Sequence, residues 1–227
     1  MRVLVLGDRN PEFVTHREVD AALTLMGAPV ATGWVATDEP AARDLAGVDG
    51  VWLLPGTPYR DDAAAYAAIG HCLDTGTPFL GTCGGFQYAC VELARRAGVA
   101  GAAHAESDPD GDAIVVAPLA CALYGEWRTV IPVPGTALAA ICGTAPFDGF
   151  HFCGYGLAEA FAGPLAAAGV VVGARSQDAG VEAIELPGHP FFLATGFQPQ
   201  VGSAETGRLH PLLSAFLEAC ARQAVAA

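Results

Sequence analysis

Basic side chains are scarce in this sequence, 11 against 24 acidic ones, for a formal net charge of -13. A chain so acidic repels phosphate backbones and anionic headgroups, so neither nucleic acid nor a membrane surface is an expected partner. Long apolar runs are missing too: no stretch approaches the roughly 20 residues of a membrane helix. The apolar start, Val3 to Leu6, is too short for a secretion signal; it reads as a first strand, and a cytoplasmic protein is expected. The seven cysteines are odd in number and irregular in spacing, which suggests no disulfide framework. No Cys-x-x-Cys or His-x-x-x-His accompanies His151-x-Cys153, so no metal or other cofactor is expected. Repeats, linkers and low-complexity tails are also lacking. The 227 residues, 52% hydrophobic, suit a single domain over 1–227 with an ample core.

What is present centres on residues 78 to 98. Phe79 and Leu80, opened by Pro78, read as a buried strand, and Phe86, Cys90, Leu93, Ala94 and Ala97 recur at helical spacing until Gly98. Cys83 falls on the sharp turn between them. The unpaired N–H groups of the helix's first turn point toward such a side chain and favour thiolate over thiol. Gly84 and Gly85 permit tight backbone geometry and close substrate approach. This is the pattern of a nucleophile elbow with sulfur in place of oxygen.

Strand one spans 2 to 6. Thr15-His16-Arg17-Glu18 has the form of a capping box before a helix whose face carries Val19, Ala22, Leu23 and Met26. A second strand is expected within 29 to 35 and a third at 51 to 54, followed by Pro55-Gly56 and a helix from Asp61-Asp62 to about Asp74. From 112 onward the pattern becomes short strands at 112–117, 128–133, 168–173, 181–186 and 192–196, before a final helix opened by Pro211. The rhythm is that of an α/β protein with a mostly parallel central sheet, helices on both faces, and extra short strands. Ligands in such sheets bind at the carboxyl ends of strands, where Gly56 and Cys83 fall.

The elbow, the Leu53-Leu-Pro-Gly56 loop and the run Glu185 to Gln200 together resemble class I glutamine amidotransferases, most closely the glutaminase domain of CTP synthase, from Val3 to about Gln200. The resemblance implies a flavodoxin-like sandwich with Cys83 as the nucleophile. It implies an oxyanion hole from backbone N–H groups near Thr57 and at Gly84, and substrate contacts at Gly56, Gln87, Glu106 and Tyr155. The family's Phe-His-Pro-Glu motif reads Phe197-Gln198-Pro199-Gln200 here, and neither glutamine takes a proton near pH 7. CTP synthases carry His-Arg-His-Arg-Tyr where this chain has His151-Phe152-Cys153-Gly154-Tyr155, so the guanidinium that would grip a carboxylate is missing. No P-loop accompanies the module, so ammonia, if released, would pass to a separate partner. A small branch of stand-alone CTP synthase-like proteins shares the Gln in the His position, and no established reaction comes with it.

His151 has two readings, a replacement base or acid beside Cys83 and a loop histidine held by hydrogen bonds. His104 is a second pocket candidate. His189 is expected to be structural, and His16, His71 and His210 to face solvent. Three functions follow as expectations: a Cys83-dependent enzyme acting on a small amide-like molecule other than free glutamine; a catalytically silent binding module; and a redox-sensing thiol, for which no distinct resolving cysteine is evident. The apolar surplus is compatible with a homodimer.

Overall fold

The computed structural model describes residues 1–27 and 33–226. In chain order the elements are β1 (Val3–Leu6), α1 (Val14–Met26), β2 (Trp34–Val35), β3 (Gly50–Leu53), α2 (Asp62–Thr75), β4 (Phe79–Thr82), α3 (Gly84–Arg96), β5 (Ala102–His104) and β6 (Ala113–Pro132). There follow α4 (Ala137–Cys142), β7 (Phe147–Leu157), α5 (Ala162–Ala167), β8 (Val171–Ser176), β9 (Gly180–Glu185), β10 (Phe192–Thr195), α6 (Ser203–Thr206) and α7 (Pro211–Ala226). The strands lie in the order β2-β1-β3-β4-β10-β9-β8-β6-β5, with β7 on β6. From β2 to β10 the pairing is parallel. From β10 through β9, β8 and β6 to β7 it is antiparallel.

Alternation along the strands decides the layers. Leu4, Leu6, Val51 and Leu53 point to a core shared with Ala65 and Ile69 of α2 and Tyr88 of α3. Val3, Val5 and Trp52 point the other way, to Val19 of α1 and Leu212 and Phe216 of α7. Each such side chain, wholly withdrawn from water, contributes roughly 1.5–3 kcal/mol. A mixed α/β sandwich results, and the carboxyl ends of β3 and β4 open on one edge.

Several expected elements fall elsewhere. The strands at 112–117 and 128–133 are parts of the single long β6, because β7 pairs along its length and shifts of register absorb the irregular middle. β7, with its three glycines, has too little local strand preference to be read from sequence, and tertiary pairing supplies it. The short β5, α4, α5 and α6 were likewise not expected, and the strand placed at 168–173 is Val171–Ser176. Thr15 does not cap α1; the helix begins at Val14 after an uncapped Phe13. Glu18 instead accepts from the Gly202 and Ala204 N–H groups, each at 3.1 Å, at the start of α6. Asp61 does cap α2, its Oδ1 accepting from Ala64 N at 3.0 Å. The second strand is present at Trp34–Val35, and residues 29 to 32 of the expected span lie outside the described residues. Among the described residues no helix is long and apolar enough to cross a membrane.

Candidate active site

Cys83 joins β4 to α3 with φ 52° and ψ -102°, the only positive φ at a non-glycine among the described residues. Such a conformation is strained and is held by its surroundings. Here Cys83 N donates to Thr195 O at 2.8 Å, and Cys83 O accepts from Gln87 N at 3.1 Å, starting the helix. The two glycines answer to close approach. A Cβ on Gly85 would lie 2.3 Å from Leu53 O, and one on Gly84 would lie 2.6 Å from Thr57 Cγ2 and 3.3 Å from Gly56 N. The elbow is therefore seated directly on β3 and its loop, which brings α3's first turn and the Gly56-Thr57 backbone to one cavity of about 140 Å3. Cys83, Thr57, Glu106, Cys153, Tyr155 and Gln198 line it, under an aromatic rim of Phe13, Tyr124 and Phe152.

His16, expected in solvent, is buried against this cavity. Its Nδ1 accepts from Asn10 N at 2.9 Å, so the ring proton sits on Nε2, which donates to Pro55 O at 3.1 Å. The imidazole thereby braces the loop carrying Gly56 and Thr57. Its position three residues before Val19 on the buried face of α1 was the available signal. His210 is also half-buried, its ring against Phe147 and Phe197. His71 is half-buried as well. His189 spans Cys72 O (2.9 Å from Nε2) and Phe191 N (3.2 Å from Nδ1).

Gln87 is held on every side: its Nε2 donates to Tyr155 O at 2.9 Å and its Oε1 accepts from His104 Nε2 at 3.0 Å. His104 Nδ1 accepts from Glu106 N at 3.1 Å, and burial pushes this histidine down to about 4, so it is neutral at physiological pH. His104 positions Gln87 and does not reach Cys83. Glu106 accepts from Thr57 Oγ1 at 2.6 Å.

The opposite wall departs furthest from expectation. Gln198 borders the cavity and its Oε1 accepts from Gln200 Nε2 at 2.9 Å, while Gln200 Oε1 is buried without a partner. His151 does not enter the cavity. It is 0% exposed, with Nδ1 3.0 Å from Gly149 O and Nε2 2.9 Å from both carboxylate oxygens of Glu182. Both ring nitrogens therefore face acceptors, the arrangement of an imidazolium. Burial works against that charge, but the hydrogen bond and charge of Glu182 outweigh it and raise the histidine's pKa. The base expected beside Cys83 is thus buried and paired with Glu182, with no free nitrogen.

Period-two alternation on β7 puts His151 and Cys153 on one face, and Cys153 carries the influence of this histidine to the cavity. Its thiol and that of Cys83 line the same cavity, and each shifts the other's titration. The Cys83 sulfur also lies 3.7 Å from Phe152 O. The hydrogen bond from Cys83 lowers the pKa of Cys153; burial opposes the shift and the positive charge on His151 reinforces it. Cys83 moves the other way, raised well above its usual value by its bond to Cys153, by burial and by the charge on Cys153, against the Gly84 N–H. The thiolate expected at Cys83 is therefore disfavoured, because its bond to Cys153 and its burial outweigh the Gly84 N–H, and Cys153 is shifted in the opposite, more acidic direction. Glu182 carries one signal in the sequence: a glutamate flanked by Val181, Ala183 and Ile184 in a buried strand needs a partner. Among the described residues no cluster of three or more His, Cys, Asp or Glu could hold a metal ion.

Known proteins share this architecture. Residues 55–200 match the peptidase C26 family. The CTP synthase of Rubrobacter xylanophilus is 33% identical over 195 residues, 81% of this chain and 35% of that protein. The CTP synthase of Pyrobaculum aerophilum is 36% identical over 167 residues, 69% of this chain and 32% of that protein. The chain thus spans about a third of the length of these relatives. In fold it is similar to the glutaminase domain of Trypanosoma brucei CTP synthase with bound acivicin, at a TM-score of 0.83 and 22% identity over 97% of this chain and 94% of that one. A glutamine amidotransferase from Thermotoga maritima gives 0.61 at 16% identity, over 100% and 98%. The elbow at the edge of a shared sheet and the match across residues 55–200 agree, and the chain belongs to the peptidase C26 family of class I glutamine amidotransferase-like proteins.

Proposed function

We propose that this protein is a Cys83-dependent enzyme that opens a small amide-like molecule through a covalent Cys83 intermediate, with Cys153 in the part of the absent histidine. The cavity that the two cysteines share carries this reading, since it sets a thiol on a nucleophile elbow and a second, more acidic thiol around one space for a substrate. Cys153 takes the Cys83 proton as the Cys83 sulfur attacks the amide carbon. The backbone N–H groups at Gly84 and near Thr57 receive the developing oxyanion. As the tetrahedral carbon collapses, the Cys153 thiol returns its proton to the leaving nitrogen and a Cys83 thioester remains. Water, giving a proton to the Cys153 thiolate, then attacks the thioester; acid is released and Cys83 regains its proton.

The cavity favours a substrate other than glutamine. Its lining has one carboxylate, Glu106, and no arginine or lysine among the described residues, and Phe152 and Gly154 stand where the resemblance would put arginines. An α-carboxylate would meet Glu106 unpaired; an amine or a neutral end would not. The test is ammonia release from 4-aminobutanamide beside glutamine, with trapping of Cys83 by a thiol-directed electrophile. Faster turnover of the amine-bearing amide, abolished in Cys83→Ala, is the expected result. No ammonia from any amide and no preferential labelling of Cys83 would leave the second reading, a silent binding module, which the Gln198–Gln200 pair favours.

A further inference from the structure

The two sulfurs form a site of their own, apart from any amide. Cys83 and Cys153 come from different elements, α3's elbow and β7, 70 residues apart in the chain, yet both line the same small cavity, and the Cys83 sulfur lies 3.7 Å from the carbonyl of Phe152, the residue before Cys153. Both are nearly buried, 5% and 8% exposed, and what exposure they have is to that cavity. The remaining cysteines are elsewhere: Cys72, Cys90 and Cys220 are buried in the cores, Cys142 is half-buried and Cys121 is exposed. A buried His151–Glu182 pair stands behind Cys153.

We propose that Cys153 and Cys83 are a peroxide-reducing thiol pair, Cys153 attacking a small hydroperoxide in the cavity and Cys83 resolving the product as an intramolecular disulfide. In the first step the Cys153 thiolate attacks the distal oxygen of ROOH, the O–O bond breaks, and the alkoxide leaves as ROH with a proton from solvent. Sulfur is oxidised to the sulfenic acid and the peroxide is reduced. In the second step the Cys83 sulfur attacks the sulfenic sulfur, an S–S bond forms, and hydroxide leaves as water with the Cys83 proton. One hydroperoxide is consumed per disulfide, and an external dithiol returns both cysteines to the reduced state by exchange.

The Gly84 N–H beside Cys83 and the imidazolium behind Cys153 favour negative charge on either sulfur as exchange proceeds. A cavity of about 140 Å3 admits hydrogen peroxide or a short alkyl hydroperoxide and shields the sulfenic acid from bulk thiols.

The experiment treats the reduced full chain with one equivalent of hydrogen peroxide, followed by intact mass and peptide mapping without reductant. Loss of two hydrogens and a Cys83–Cys153 crosslinked peptide are expected, unchanged in Cys121→Ser. Cys83→Ser should trap a dimedone adduct on Cys153, and Cys153→Ser should slow peroxide consumption by about tenfold or more. Oxidation confined to Cys121 or Cys142, or dimedone on Cys83 but never on Cys153, would overturn the proposal. Because ammonia release is measured on the reduced protein, an enzyme that splits amides yet forms no crosslink would sink this inference alone.

Discussion

Behind the two walls of the cavity stand buried histidines whose pKa values move in opposite directions. On the elbow side His104 sits among Gln87, the Glu106 N–H and aromatic rings, with no carboxylate on its ring nitrogens, and burial leaves it neutral. On the β7 side His151 is at least as buried, but Glu182 lies 2.9 Å from its Nε2 and raises its pKa. Burial alone removes the proton from an imidazole; a carboxylate in contact restores it. The difference bears on which sulfur is the more acidic, because His151 reinforces the downward shift of Cys153 and no such group stands behind Cys83.

The largest effect should come from uncoupling the charged wall. His151→Gln leaves Glu182 buried without its cation and should cost about 3–5 kcal/mol of stability in urea titration. The same change should raise the Cys153 pKa, read as thiolate absorbance. Next is pH, which separates the walls. His104 has a folded pKa of about 4, below its unfolded value, so the unfolded chain binds more protons between about 6.5 and 4. Its contribution, present above that window, should be lost as pH falls through it, by up to about 3 kcal/mol. The loss should shrink in His104→Gln. For His151 the sign reverses: its folded pKa is raised, so its contribution is complete below the unfolded value and fades as pH rises through the folded one.

A steric test of the elbow follows. Gly85→Ala forces a Cβ to within 2.3 Å of Leu53 O and should cost roughly 1–3 kcal/mol by thermal melting, with loss of preferential Cys83 labelling. The smallest effect is expected at the glutamine pair. Gln198→His keeps an acceptor for Gln200 and a similar volume, so stability should change by less than about 1.5 kcal/mol. Thiolate absorbance should be unmoved. A large rise in ammonia release from this single change would show that the β7 wall had not taken over proton transfer.

The legible parts of the molecule were those set by local pattern. Phe79 to Gly85 announced strand, turn and nucleophile because a buried strand, a helix start and two glycines are neighbours in the chain. Val19 and Met26 mark the buried face of α1, yet His16, one turn before Val19, is polar enough to suit solvent equally well, and only the Pro55 carbonyl and Asn10 N–H that meet its ring place it inside. β7 was illegible: its glycines weaken any local preference, and only the pairing with β6 makes it a strand. Once it forms, His151 and Cys153 share a face, and Glu182 reaches them from 31 residues away.

By itself the sequence determined the elbow, the parallel half of the sheet and the absence of the family's histidine, since each depends on residues adjacent or periodic along the chain. Tertiary structure alone decided that His151 pairs with Glu182 outside the cavity, that Cys153 shares the cavity with Cys83, and that the second sulfur is the more acidic. Protonation depends on what surrounds a group in space, and here those surroundings come from α3, β7 and β9, which only the folded sheet brings together.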